Sequence, residues 1–302
     1  MRSLTTLIDG VIDYAGLFPP ASLAMTPAVR NFAEYRQGSE AWALGRFIVP
    51  ALRLDEFERA AAALLPTGEN AEPWTLSALA SEDVDSDLAR IRTFNERHQD
   101  PALGASVIDS VELKSHSRAE IRRISELTSG DLIPFYEIPI TSDPRPLIAA
   151  IGRAEARAKV RTGGIIPDLI PRASDLVRFI SVCAELGVPF KATAGLHHVI
   201  LGSYPLTYEP DSASAIMFGF LNVFLCAAFL TAGASPEDAA RLLVESDAKS
   251  FHFDDDGVTW RGHNLDSAQL SDARGFAISF GSCSFREPMD ELQRFHPSDS
   301  RS

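Results

Sequence analysis

Two lysines, Lys159 and Lys191, stand 32 residues apart, each on a short β-type run that ends in glycine: AKVRTGG and VPFKATAG. A strand, a helix and the next strand fill about that interval. The spacing therefore predicts adjacent parallel strands with a lysine near the C-terminal mouth of each. Parallel sheets are covered on both faces by their crossover helices, which confines the chain to α/β architectures.

The same rhythm runs from the start. Strand-like runs end in IDYAGLFPP, then continue as RFIVPA, WTLSALA, ASVIDSVELKSH and LIPFYEIPI, followed by the two lysine runs and AISFGSCSF. Helical runs alternate with them: Thr26 reads as a cap with Pro27 in the first turn, Asp83 to Arg97 as a helix, Ser117 and Glu120 as a capping box, and Ser174 to Gly187 as a helix stopped by glycine. Eight βα units match a (β/α)8 TIM barrel. No glycine-rich nucleotide fingerprint follows the first strand, which sets aside an open doubly wound sheet. Residues 1–302 read as one domain. Residues 200–275 form a helical and hairpin elaboration between strands seven and eight, with DG in FHFDDDGVTW as a hairpin turn, and residues 297–302 are a polar tail.

With 28 basic and 41 acidic side chains, the net charge is −13. That field repels phosphate backbones and anionic membranes, so neither nucleic acid nor a membrane surface is an expected partner, and any bound anion needs a local basic pocket. Cys183, Cys226 and Cys283 form no spaced pair, and the N-terminal residues meet Asp9 and Asp13 too early for a signal peptide. A cytoplasmic protein is expected. The uncharged run Ala215 to Gly233 reads as a buried helix or one at a homo-oligomer interface, with Gly219, Asn222 and Cys226 as a close-approach stripe.

A lysine in a barrel mouth is solvated, paired or used. Two together disfavour each other's charge, and a neutral amine can attack a carbonyl to form a Schiff base. Arg161 shares the face of Lys159, and Glu112 and Lys114 share a face of the fourth strand. Residue types alone leave catalysis by Lys159 and Lys191 and simple salt bridging to Glu112 and Glu137 equally open. His197 and His198 lie just past the seventh strand, where either can shuttle a proton. Tyr14, Phe18 and Tyr136 read as barrel filling and Cys283 as a bystander.

The motifs add a resemblance. K-V-R-T-G at 159 to 163 resembles the sixth-strand K-T-S-T-G of deoxyribose-phosphate aldolase, a Schiff-base aldolase with a (β/α)8 fold. K-A-T-A-G at 191 to 195 resembles its seventh-strand K-A-S-G-G, and G-S-C-S at 281 to 284 its eighth-strand phosphate site G-T-S-S. The resemblance implies that Lys159 carries the Schiff base, that Lys191 depresses its pKa, and that Gly195, Gly281 and Ser282 hold a phosphate. The fourth-strand aspartate of that family has no direct counterpart, and Glu112, beside Lys114, is its nearest substitute. Arg161 stands where the family has a small hydroxyl side chain, and the seventh strand continues as L-H-H in place of I-R-T.

The expectation is a lyase or aldolase acting on a small phosphorylated or carboxylated carbonyl compound, with no cofactor and no metal. Lys159, Lys191, Glu112 and His197 are the catalytic candidates. Arg161, Thr162, Gly163, Gly195, His198, Lys114, Glu137, Gly281 and Ser282 are the substrate-binding ones. One alternative is a metal-assisted enolate-forming lyase or isomerase built on Glu112, Glu137 and His197. Another is a non-catalytic metabolite- or partner-binding barrel.

Overall fold

A computed structural model of the chain describes residues 2–68 and 70–295; the polar tail at 297–302 lies outside the described residues. Seven strands come first: β1 (Ile12–Tyr14), β2 (Leu44–Pro50), β3 (Trp74–Leu79), β4 (Ser106–Lys114), β5 (Ile133–Glu137), β6 (Arg157–Arg161) and β7 (Phe190–Thr193). Five short strands follow: β8 (Gly202–Pro205), β9 (Ser214–Met217), β10 (Phe251–Phe253), β11 (Gly257–Trp260) and β12 (His263–Asp266). The last, β13 (Ala277–Ser282), lies between β1 and β7 and closes a barrel in the order β1-β13-β7-β6-β5-β4-β3-β2. Every neighbouring pair is parallel. This is an eight-stranded (β/α)8 barrel with helices between its strands.

Local chemistry explains two of the helix boundaries. Ser117 caps the helix Arg118–Thr128 by accepting the Glu120 N–H at 3.1 Å, but the Glu120 carboxylate turns to Ser115 Oγ at 2.7 Å, so only half of the expected box forms. Gly187 stops the helix Ala173–Leu186 in the left-handed region, φ +62°, where its N–H reaches the Cys183 and Ala184 carbonyls. Thr26 is not a cap: the helix Met25–Gln37 opens one residue before it, at an extended Ala24 with no side-chain cap.

The apolar run from Ala215 is not one helix. Its first residues pair as β9 with β8, antiparallel, and the helix proper is Phe220–Thr231, buried over almost its whole length. Gly219 makes the corner because a Cβ there would lie 2.2 Å from Ile200 Cα. Asn222, fully buried, accepts the Leu201 N–H at 2.7 Å and donates to the Leu242 and Glu245 carbonyls at 2.9 and 2.8 Å. Two members of the expected stripe, Gly219 and Asn222, thus meet this chain's own loop and the end of helix Pro236–Leu243. Among the described residues no helix is long and apolar enough to cross a membrane. The helix packs between Ala173–Leu186 and Ser267–Phe276, while β10, β11 and β12 form a separate small sheet.

Asn222→Ala would leave one partly buried N–H and two buried carbonyls without that partner. A loss of about 2–4 kcal/mol in urea unfolding is expected; a loss below about 1 kcal/mol would show that the clamp is dispensable.

Candidate active site

The strand register brings charges together before any loop is considered. Lys159 stands opposite Lys191 across β6 and β7, and opposite Glu137 across β5 and β6, while Glu137 faces Lys114 across β4 and β5. Residues level with one another on adjacent strands point to the same side of the sheet, so this row projects into the barrel mouth together.

The row closes into a chain of alternating sign. Lys191 Nζ donates to Asp13 Oδ2 at 2.6 Å and to Glu112 Oε1 at 2.7 Å. Lys159 Nζ lies 2.8 Å from the other Glu112 oxygen and 3.0 Å from Glu137 Oε2. Arg161 Nε then donates to Glu137 Oε1 at 3.3 Å. Asp13, Glu112, Lys159 and Lys191 are each at most 3% exposed. Ser77 donates to Glu112 at 2.9 Å and Ser279 to Asp13 at 2.6 Å, which fills one further lone pair on each carboxylate. Below them, Arg46 holds Asp109 in a fork at 2.7 and 2.6 Å while its backbone N–H reaches Asp13 Oδ1 at 2.8 Å.

These contacts set the protonation states. Burial alone would push the Glu112 carboxyl up, but the two ammoniums outweigh it and hold the group well below the usual carboxylate range. Glu137 follows the same pattern: burial raises it, and Lys159 and Arg161 bring it below its ordinary value. Burial would lower Lys191, yet Asp13 and Glu112 outweigh it and the net shift is upward. The expected depression by a neighbouring ammonium therefore does not act on Lys191, because a carboxylate lies between the two lysines. The charged form of Lys191 is favoured.

A cavity of about 290 Å³ opens over this network, lined among others by Lys159, Lys191, Lys114, Arg161, Phe18 and His197. Glu112, Glu137 and Gly281 also reach its wall, as does Cys283, whose thiol is pushed up by burial. Thr162 and Gly163 do not line it. The Thr162 hydroxyl donates to the Ala194 carbonyl at 2.5 Å, and a Cβ on Gly163 would lie 2.9 Å from Gly195 Cα, so these residues join the ends of β6 and β7. Tyr14 packs on Phe32 and Phe47, and the Tyr136 hydroxyl reaches the Ile121 carbonyl at 3.0 Å; both face the helical layer.

The two histidines diverge. His198 stacks on Tyr204 and faces Glu291 at 3.2 Å. His197 is buried, and burial, helped by His198, brings it down to about 4. Ser282 Oγ lies 3.1 Å from His197 Nδ1 and donates its own hydrogen to the Ser284 carbonyl at 2.6 Å. Nδ1 therefore carries the imidazole proton, and Nε2 keeps its lone pair. Among the described residues no group of three or more His, Cys, Asp or Glu side chains is disposed to hold a metal ion. Glu112 and Glu137 are held by cations and His197 by Ser282.

Asp13, Arg46, Ser77 and Ser279 were not singled out from the sequence. A charge between Ile12 and Tyr14 in a short apolar strand is the signal that marks Asp13. Arg46 in LGRFIVP carries the same mark. Tyr208 and Glu287, 3.0 Å apart, have no local signal, since only the fold brings them together. Compared with protein-family models, curated proteins and solved structures, the chain gives no match.

Glu112→Gln is expected to destabilise the protein by about 3–5 kcal/mol near neutral pH. Because Glu112 and Glu137 sit below their ordinary values, their contribution is present above about pH 4.3 and disappears as pH falls through the folded values. Urea unfolding across acid pH should therefore show the wild type losing stability faster than Glu112→Gln; parallel curves would remove Glu112 from this linkage.

Proposed function

We propose that the chain is an aldolase-type lyase acting on a small anionic carbonyl compound through a Schiff base on Lys159. The observation that carries this reading is the single carboxylate of Glu112 gripping both lysines, at 2.8 and 2.7 Å, under an open cavity in the barrel mouth. A buried network of this kind is a poor stabiliser, because desolvating each ion costs several kcal/mol that pairing only offsets. Placed at the C-terminal ends of the strands, it has a use in chemistry.

Lys159 is the nucleophile because its second partner, Glu137, is nearer solvent than Asp13, the second partner of Lys191. A substrate anion engages Arg161 and the exposed Lys114, which brings the carbonyl carbon over Lys159 Nζ. Lys159 passes a proton to Glu137 and attacks; Glu137 returns that proton to the carbinolamine hydroxyl, which leaves as water, and an iminium forms. When Lys159 gives up its charge, Glu112 keeps Lys191 as its partner, so no buried carboxylate is stranded.

Borohydride reduction with a panel of small aldehydes, ketones and keto acids tests this. A reduced adduct is expected on Lys159 by peptide mass spectrometry. Lys159→Met should give none, while Lys191→Met, checked for folding by circular dichroism, should keep a reduced fraction of the trapping. An adduct on Lys191 in the wild type, or trapping that survives in Lys159→Met, would overturn the assignment.

A further inference from the structure

A second pocket, of about 270 Å³, adjoins the lysine cavity and shares Pro19, Gly164, Ala194 and His197 with it. Its far wall comes from the β8–β9 connection and the start of helix Arg286–Phe295 and includes Leu206, Thr207, Tyr208 and Glu287. Its polar groups are neutral or acidic. The Tyr208 hydroxyl donates to Glu287 Oε2 at 3.0 Å, Glu209 stands at the rim, and the His198 ring is paired with Glu291. Among the described residues that line it there is no lysine and no arginine.

An anion entering this pocket would meet Glu287 and Glu209 with no cation to neutralise it, whereas a hydroxyl meets groups that both donate and accept. The cations of the mouth, Lys114 and Arg161, line the other cavity. The two cavities thus divide the labour that the glycine-lined strand ends were expected to perform alone.

We propose that the second pocket is the subsite for the uncharged, hydroxyl-bearing end of the substrate, with His197 between it and Lys159. This rests on the Schiff-base reading and names its substrate class: a chain with an anion at one end, a carbonyl over Lys159 and a polyhydroxylated segment beyond. In the cleavage direction, the hydroxyl on the carbon β to the iminium gives its proton to His197 Nε2. The bond between the α and β carbons breaks, its electron pair passes to the iminium to leave an enamine, and an uncharged aldehyde forms in the second pocket. Glu287, 3.5 Å from His197 Nδ1, supports the imidazolium while it lasts. Protonation of the enamine carbon and hydrolysis by water then free Lys159.

Isothermal titration of the wild type with erythritol and with inorganic phosphate tests the subsite without needing catalysis. Erythritol should bind, and Thr207→Trp, which fills the pocket away from the lysines, should weaken it by about tenfold or more while leaving the affinity for phosphate, held by Lys114 and Arg161, within about twofold. No binding of erythritol, equal binding of erythritol by Thr207→Trp, or an equal loss of both ligands in Thr207→Trp would overturn the proposal. Borohydride trapping of a two-carbon aldehyde on Lys159 in Thr207→Trp should match the wild type. Absence of trapping in both proteins is failure of the Schiff-base reading, and the titration reports on the subsite separately.

Discussion

One carboxylate organises this barrel mouth. Glu112 is nearly inaccessible to solvent and bonds a different ammonium with each oxygen. Two cations in one buried site would otherwise repel each other and lose hydration at the same time, and at least one would shed its proton. The bridging acid reverses that tendency: Lys191 is raised by Glu112 and Asp13 despite its burial. Asp13, Lys191, Glu112, Lys159, Glu137 and Arg161 then alternate in sign with three charges of each kind, so the network is neutral as a whole. Adding or removing one proton breaks that balance.

The network depends in turn on strand register. A shift of one residue in β6 against β7 would turn Lys159 to the helical layer, where apolar side chains offer no partner. The register is secured at the strand ends by the Thr162 hydroxyl on the Ala194 carbonyl and by the close passage of Gly163 and Gly195. Gly195 has φ +78°, and a Cβ there would lie 2.8 Å from Gly163 Cα, so both the angle and the space require glycine. The glycines that follow the lysines in the sequence thereby lock the two strands as a pair.

This explains which parts of the site could be read in advance. The eight barrel strands were legible because two-sided burial and alternation with helices leave a strong pattern. The lysines, Glu112, Glu137 and Arg161 were legible because period two places them on shared faces. Asp13 was not, since β1 is three residues long and an aspartate near the N-terminus reads first as surface. The run after Ala215 misled for another reason: uniform apolarity gives no period, so neither the β9 pairing nor the turn at Gly219 leaves a trace. The role of Asn222 as an internal clamp likewise depends on carbonyls 20 and 23 positions away.

Charge outside the network bears on how a substrate arrives. The protein carries a formal −13, a field that repels the anionic end of the proposed substrate at long range. Screening confines surface fields to about 8 Å at physiological ionic strength, so capture is decided by the groups within that distance of the mouth. There the picture is local and uneven. Lys114 and Arg161 stand at the cavity over β4 to β6, whereas Glu287, Glu209 and Glu291 lie toward β8 and the helix Arg286–Phe295. A ligand with one charged end and one hydroxylated end meets a gradient across the mouth that favours one orientation and opposes its reverse. On the proposed reading, the same acids that make the whole molecule repulsive to anions thereby help to turn the bound one, with Lys159 lining the cavity that takes its charged end.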